Sequence, residues 1–104
     1  MRKARAFSFH RPGRLILAPK NGLRARSVRL WPGNCMDWHS TGEREELLLV
    51  IHGEVAVSIE LARGKTQNKP LKAGQGVFLP AATRHRVANS SRRVSRYVYV
   101  TGRA

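Results

Sequence analysis

Residues 39–53 read His-Ser-Thr-Gly-Glu-Arg-Glu-Glu-Leu-Leu-Leu-Val-Ile-His-Gly, a polar segment that runs directly into an unbroken apolar segment and ends at a glycine. Four of the six carboxylates in the protein (Asp37, Glu43, Glu45 and Glu46) lie in or next to this polar segment. A carboxylate at the start of a buried strand costs free energy unless it is paired or bound to a cation. The stretch therefore predicts a polar site at the mouth of a buried strand.

The segments around this stretch resemble short strands separated by glycine and proline turns, and none has the 3.6-residue period of a helix. An inward-facing Glu46 turns Leu48 and Val50 inward too, because alternate residues of a strand share one face. Gly53 with Glu54 supplies the turn to the next strand. Many short strands with such turns indicate an all-β barrel or sandwich. The predicted strands are residues 14–18, 24–31, 46–52, 54–61, 66–71, 77–79, 84–88 and 94–100.

Two local patterns add to this prediction. Asn21-Gly22 is a strong signal for a hairpin turn between the first two segments. Within residues 24–31, arginines alternate with small or apolar residues, and the alternation slips between Val28 and Leu30. That slip allows a β-bulge in this strand.

Two histidines lie where they could join Glu46. His39 precedes Glu46 across the polar segment, and His85 begins another short strand a few residues after Pro80. Two imidazoles and one carboxylate on adjacent strand ends are the elements of a metal site that leaves positions open for water or substrate. Single histidines are also often structural, and Glu46 could instead pair with Arg84 or Arg86 without a metal.

The chain resembles the cupin family, through two motifs that cover most of the sequence after residue 33. The first has six residues between its glutamate and its last glycine, and is formed by Gly33, His39, Glu46 and Gly53. The second has five residues between glycine and proline and three between histidine and asparagine, and is formed by Gly74, Pro80, His85 and Asn89. The resemblance implies a jelly-roll β-barrel, a double-stranded β-helix, over residues 14–104 as a single domain. Residues 1–13 would then be a basic N-terminal arm, a candidate for part of a dimer interface.

The resemblance also implies a divalent metal ion held by His39, Glu46 and His85. Iron, manganese, nickel and zinc all suit nitrogen and oxygen ligands, so the metal stays open. Thr41 stands where the family has a second histidine, and a threonine hydroxyl is a weak ligand. Its presence either opens a further coordination position or means weak or no metal binding. Glu43 is the candidate replacement oxygen ligand.

Four further residues are candidates for lining a ligand pocket. Arg84 lies beside His85 and could clamp a carboxylate or phosphate, or it could be a surface arginine. Tyr97 and Tyr99 share one face of the last strand, and a tyrosine hydroxyl inside the barrel would orient a substrate. Phe78 either fills the core or lines the pocket. No residue typical of one catalytic branch of the family is recognisable, so catalytic residues stay unassigned.

Length and composition bound the remaining possibilities. The chain has 104 residues, enough for one hydrophobic core, with a formal net charge of +14 and one cysteine, Cys35. A single cysteine requires no oxidising compartment, and no apolar stretch is long enough to span a bilayer, so we expect a cytoplasmic protein. The positive charge favours anionic partners. Nucleic acid is not expected among them, because no nucleic-acid-binding signature accompanies the arginines.

Two hypotheses about function follow from the sequence. In the first, the protein is a small cupin that binds a divalent metal ion and a small organic ligand inside the barrel. In the second, it is a metal-free ligand-binding or structural module whose basic surface meets an anionic partner. A homodimer is the assembly that the resemblance implies.

Overall fold

A computed structural model describes residues 4–16 and 22–104, and they form an all-β fold without a helix. Among these residues no helix is long and apolar enough to cross a membrane. The hairpin turn expected at Asn21-Gly22 falls largely outside the described residues. The strands are β1 (Gly13–Arg14), β2 (Arg24–Leu30), β3 (Cys35–Ser40), β4 (Arg44–His52), β5 (Glu54–Ala62), β6 (Lys65–Lys72), β7 (Gly76–Leu79), β8 (Arg84–Ala88) and β9 (Ser95–Arg103).

The strands form two antiparallel sheets that face each other. The first sheet has the order β1-β2-β9-β4-β7, and the second has the order β3-β8-β5-β6. Their inner faces share one apolar core, which includes Val28, Leu48, Val57, Val87 and Tyr97. The chain changes sheet at every connection except β1–β2 and β5–β6, which gives the jelly-roll topology that the resemblance implies. The two sheets are not joined edge to edge by ladder pairing between the described strands.

Strand β4 shows why the apolar run of the opening stretch folds as it does. Glu46, Leu48 and Val50 are buried, whereas Leu47 and Leu49 between them are exposed. This period-two burial places the carboxylate and the two apolar side chains on the inner face, as expected.

Gly53 makes a corner between the sheets rather than a hairpin. Strand β4 pairs with β7 and β9, and β5 pairs with β6 and β8, so the two strands that flank Gly53 lie in different sheets. The φ angle of Gly53 is 74°, and a Cβ atom there would lie 2.7 Å from Ser95 Oγ and 2.8 Å from the Val94 carbonyl oxygen. Only glycine fits this corner without strain.

The bulge that the sequence allowed in β2 is absent, because residues 24–30 pair in unbroken register with β9. The inner face of β2 therefore carries Arg24, Arg26, Val28 and Leu30, and its outer face carries Ala25 and Ser27. A bulge occurs in β3 instead, between Met36 and His39.

Part of the N-terminal arm packs on the outer face of the first sheet. Ser27 Oγ donates a hydrogen bond to the Phe9 carbonyl at 2.7 Å, and the Arg96 guanidinium donates one to the His10 carbonyl. Residues 13–14 then pair with β2 as a two-residue strand. The arm thus covers its own sheet in the described structure.

Candidate metal centre

The three predicted ligands come from both sheets and lie at one end of the space between them. His39 on β3 and His85 on β8 are cross-strand partners, and their ring centroids lie 4.2 Å apart. Glu46 extends from β4 in the opposite sheet, and its Oε2 atom lies 3.6 Å from His85 Nε2. Each strand therefore contributes one side chain to the site.

The bulge in β3 decides that His39 faces inward. Met36 pairs with Val87 and His39 pairs with His85, so three steps along β3 match two steps along β8. Met36 and His39 are three residues apart, and in a regular strand residues three apart face opposite sides of the sheet. The extra residue of the bulge puts both side chains on the same face. Both Met36 and His39 line the same cavity as a result.

Backbone carbonyls set the tautomer of both histidines. His39 Nδ1 lies 2.7 Å from the Asp37 carbonyl oxygen, and His85 Nδ1 lies 3.0 Å from the Thr83 carbonyl oxygen. A carbonyl can only accept, so each Nδ1 carries the proton, and in a neutral ring Nε2 keeps its lone pair. This is the tautomer that binds a metal ion through Nε2.

His85 is the most enclosed polar group of the site. It is 0% exposed and Glu46 is 7% exposed. Among the described residues, His85 Nε2 finds no hydrogen-bond partner. Burial lowers the pKa of His85, but the Glu46 carboxylate and the Thr83 carbonyl raise it by more, so that its pKa lies above the ordinary value. A buried nitrogen that faces a carboxylate is therefore ready to hold a cation, either a proton or a metal ion.

The donor chemistry fits a divalent ion, although the ligand set is not gathered at one point. Within residues 4–16 and 22–104, no three histidine, cysteine, aspartate or glutamate side chains are grouped closely enough to hold a metal ion. His85 and Glu46 form a pair, and the His39 ring lies beside the His85 ring, tilted by 57° from its plane.

Thr41 ties the two motifs together. Its Oγ1 donates to the Pro80 carbonyl at 2.7 Å and accepts from the Thr83 amide at 3.0 Å, and its own amide donates to the Thr83 carbonyl at 3.1 Å. The residue that stands in place of the second motif histidine thus uses its hydroxyl to join the end of β3, which carries His39, to the segment before β8, which carries His85.

Three predicted site residues lie elsewhere. Glu43 is exposed and does not line the cavity, so it does not replace Thr41 as a ligand. Phe78 neither fills the core nor lines the pocket, because it lies on the outer face of β7 with 53% exposure. Arg84 alternates with the inward His85 and pairs with Glu60 on the surface at 3.4 Å, so it does not clamp a ligand in the cavity or neutralise Glu46.

Tyr97 and Tyr99 both line the cavity, which has a volume of about 950 Å³. Tyr97 is buried, and this burial, with smaller effects of Glu46 and Tyr99, raises the pKa of its hydroxyl. The phenol is therefore protonated at neutral pH. Their ring centroids are 6.5 Å apart, and they form an aromatic wall on the inner face of β9, in the sheet opposite the histidines.

Four arginines of the cavity wall were not recognised from the sequence as site residues. They belong to β1, β2 and β4 and are Arg14, Arg24, Arg26 and Arg44. The sequence could have predicted their position, because every second residue of a strand lies on the same face. Arg24 and Arg26 therefore share a face with Val28 and Leu30, and Arg44 shares a face with Glu46.

Asn89, the last residue of the second motif, has the structural role expected for it. It is 1% exposed, and its Nδ2 donates to the Leu30 and Arg93 carbonyls at 2.9 and 2.8 Å. Its Oδ1 accepts from the Ser91 amide and hydroxyl. The side chain thus fixes the turn after β8 against the end of β2.

Comparisons with known proteins agree with this architecture. The structure superposes on a cupin 2 conserved barrel domain protein from Salinispora arenicola with a TM-score of 0.73 and 24% identity, covering 90% of this chain and 76% of the other. A predicted oxalate decarboxylase from Thermotoga maritima gives a TM-score of 0.68 and 21% identity, with 78% and 66% covered. An oxalate oxidase gives a TM-score of 0.73 and 21% identity, with 79% and 42% covered.

These likenesses establish the fold. The chain spans less than two thirds of the length of the oxalate decarboxylase and oxalate oxidase chains. A search of curated protein sequences finds no match. The profile described as cupin domain matches residues 26–101. This match covers most of the chain, both motifs and all three predicted ligands, and the protein therefore belongs to the cupin domain family.

Proposed function

We propose that this protein binds a divalent metal ion through His39, Glu46 and His85 and a small organic ligand in the adjoining cavity. The observation that carries the proposal is the buried His85 Nε2, which faces Glu46 Oε2 at 3.6 Å and has no hydrogen-bond partner among the described residues. A buried polar atom in this state is costly unless a further group, such as a metal ion, satisfies it.

The residues of the site would prepare the histidines for the metal ion and would help to hold the organic ligand. The Asp37 and Thr83 carbonyls keep the proton of each neutral imidazole on Nδ1, so neither ring has to change tautomer to become a ligand. Glu46 supplies negative charge within the buried part of the site. The protonated hydroxyl of Tyr97 is a donor for an oxygen of the organic ligand. A bound divalent ion would polarise an oxygen of the ligand or of water as a Lewis acid.

Metal analysis of untagged protein tests the proposal. The protein would be incubated with iron(II), manganese, nickel or zinc, freed of excess metal by gel filtration and analysed by mass spectrometry for metal per chain. We expect close to one ion per chain in the wild type. His85→Asn keeps an amide donor for the Thr83 carbonyl and removes Nε2, so we expect it to lose the metal.

His52→Asn is the matched control, because His52 is exposed at the end of β4 and does not line the cavity. It should retain the metal content of the wild type. Clearly less than one ion per chain in the wild type with every metal, or equal metal contents in the wild type and His85→Asn, would contradict the proposal.

A metal-free binding module is the second candidate function. It is favoured by the dispersed ligand set and by Thr41, whose hydroxyl is engaged with Pro80 and Thr83. In this alternative, a protonated His85 pairs with Glu46, and the cavity binds its ligand without an ion. Ligand binding that persists in the presence of a chelator would distinguish it from the first candidate.

We further propose a homodimer that forms through the outer face of the first sheet, in the cytoplasm. Leu47 and Phe78 are cross-strand partners there, and Leu49 adjoins them. These three side chains are 48%, 53% and 43% exposed, so they form a contiguous apolar surface. A second copy of the same surface would bury it symmetrically. The exposed Cys35 requires no oxidising environment.

A further inference from the structure

Positive charge is concentrated on one wall of the cavity. Arg14, Arg24, Arg26 and Arg44 all line it, and they come from β1, β2 and β4 of the first sheet. The histidines line the opposite wall, from β3 and β8 of the second sheet. A ligand between the sheets therefore meets imidazoles on one side and guanidinium groups on the other.

The strand register places two of these arginines at defined levels. Glu46 pairs with Thr101, which pairs with Arg24, so these three residues form one row across β4, β9 and β2. Arg26 pairs with Tyr99, two residues further along both strands from the pair of Arg24 with Thr101, and Arg14 pairs with Arg26. Strands lie about 4.8 Å apart, which separates the Arg24 and Glu46 Cα atoms by roughly 10 Å.

These arginines are not neutralised by the protein itself. In residues 4–16 and 22–104, no carboxylate oxygen lies within ion-pair distance of Arg14, Arg24 or Arg26. The carboxylates that line the cavity are Asp37 and Glu46. Asp37 accepts a hydrogen bond from the Trp38 amide at 2.8 Å, and Glu46 faces His85.

Arg44 is held in place by two backbone carbonyls and one side-chain hydroxyl. Its guanidinium donates to the Gly22 carbonyl at 2.6 Å, to the Thr101 carbonyl at 3.0 Å and to Thr101 Oγ1 at 2.8 Å. Desolvation and the neighbouring charges of Arg24 and Arg103 lower its pKa. Like charges repel one another, and an anion in the cavity beside Arg24 and Arg44 would relieve the repulsion.

We propose that the ligand of this cavity is a small organic anion with at least two ionised groups, carboxylates or phosphates. One ionised group would contact Arg24 and Arg26, and the other would reach the His39, Glu46 and His85 site. Guanidinium groups bind carboxylate and phosphate through paired hydrogen bonds, and they do so most strongly where water is partly excluded. The inference deepens the proposed function by naming the ligand class of the same cavity, but its arginine half requires no metal.

Calorimetric titration at constant ionic strength tests the inference. The probes are succinate and glycerol 1,3-bisphosphate, which each carry two ionised groups, and each has a neutral analogue (succinamide and glycerol). Every titration is run with chelator and again with metal. We expect the wild type to bind at least one of the two anions and neither neutral compound. Binding of succinate alone or of glycerol 1,3-bisphosphate alone would identify the acidic group.

The double variant Arg24→Gln, Arg26→Gln should weaken anion binding by roughly 100-fold, about tenfold for each guanidinium group that is removed from the anion. The matched control is Arg63→Gln, Arg92→Gln, which removes the same charge at exposed positions that do not line the cavity. It should bind like the wild type. Arg26→Lys keeps the charge but cannot form the paired hydrogen bonds, and it should weaken binding even if the double variant folds poorly.

Equal weakening in the two double variants would overturn the inference in favour of a general surface effect. Failure of the wild type to bind either anion, with and without metal, would also overturn it. Metal content is measured separately in the same variants. Arginine-dependent anion binding in a chain that holds no metal would leave the inference standing while the metal proposal fails.

Discussion

His85 Nε2 and Glu46 Oε2 face each other across the two sheets at 3.6 Å, in a region that is almost closed to water. The separation is longer than a good hydrogen bond. It leaves the buried nitrogen without a hydrogen-bond partner in the part of the chain that the structure describes. A proton or a metal ion held between these two atoms would make the stability of the protein depend on pH.

Metal-free protein should lose stability as the pH rises through the His85 titration. The pKa of His85 is raised in the folded state above its ordinary value of 6.5, so the ionic pair with Glu46 is fully present below about pH 6.5. Its contribution disappears as the pH rises through the folded pKa. Urea unfolding in chelator at several pH values between 5.5 and 8.5 would measure this, as the difference between wild type and His85→Asn.

A difference in unfolding free energy that stays constant across this range would contradict the prediction. Glu46→Gln is a second comparison, because removal of the carboxylate should remove most of the pH-dependent difference. With metal present the trend should reverse, since a metal ligand must be unprotonated and metal affinity rises with pH.

Thr41→Val should destabilise the protein by about 1–2 kcal/mol, because it removes a donor and an acceptor while keeping the shape of the side chain. Thr41→Ser keeps the hydroxyl and is the control, with a loss near zero. Thermal or urea unfolding measures both. Equal stability of Val and Ser variants would show that the hydrogen bonds to Pro80 and Thr83 contribute nothing measurable.

Asn89→Ala should destabilise by about 3 kcal/mol, since it leaves the buried Leu30 carbonyl without this donor and the Ser91 amide without its acceptor. The expected result is a clear fall in the urea midpoint with an unchanged slope. Asn68→Ala, on the exposed face of β6, is the comparison and should change the midpoint little. Similar midpoints for the two variants would refute the structural role of Asn89.

Gly53→Ala should cost about 2–4 kcal/mol, because the φ angle of 74° is strained for alanine and its Cβ would clash with Ser95 and Val94. Gly64→Ala is the matched control. Its φ is also positive, at 66°, but a Cβ there meets no atom within 4 Å. It should cost only the backbone strain, about 1 kcal/mol. Unfolding midpoints measured in parallel would separate clash from strain, and equal losses would rule out the clash.

Leu47→Glu should dissociate the proposed dimer, since it places a charge in the centre of the apolar outer face of the first sheet. Sedimentation velocity at several concentrations would show the change from dimer to monomer. Leu61→Glu is the control, because Leu61 is 62% exposed on β5 in the other sheet. A monomeric wild type, or a Leu47→Glu protein that sediments like the wild type, would exclude this interface.

The sequence by itself predicted most of the strands and the two motifs, but not β3 (Cys35–Ser40), which carries His39. With Glu46 facing inward, strand alternation predicted that Leu48 and Val50 share the inner face of β4. This prediction needs only the positions of neighbouring residues along the chain. The spacing of Gly74, Pro80, His85 and Asn89 was equally local, and it predicted the family that the profile match then established. These features needed no knowledge of which strands pair.

Tertiary structure alone decided which side chains meet. The bulge in β3 turns His39 inward, and the unbroken register of β2 with β9 turns Arg24 and Arg26 inward, whereas Phe78 and Arg84 face solvent. Shifting the register of a strand by one residue moves every side chain to the other face of the sheet. The sequence of one strand does not by itself specify its register or a bulge, because both depend on the strand with which it pairs. The chain thus encodes most of its strands locally, but the composition of the cavity wall depends on register across the sheets.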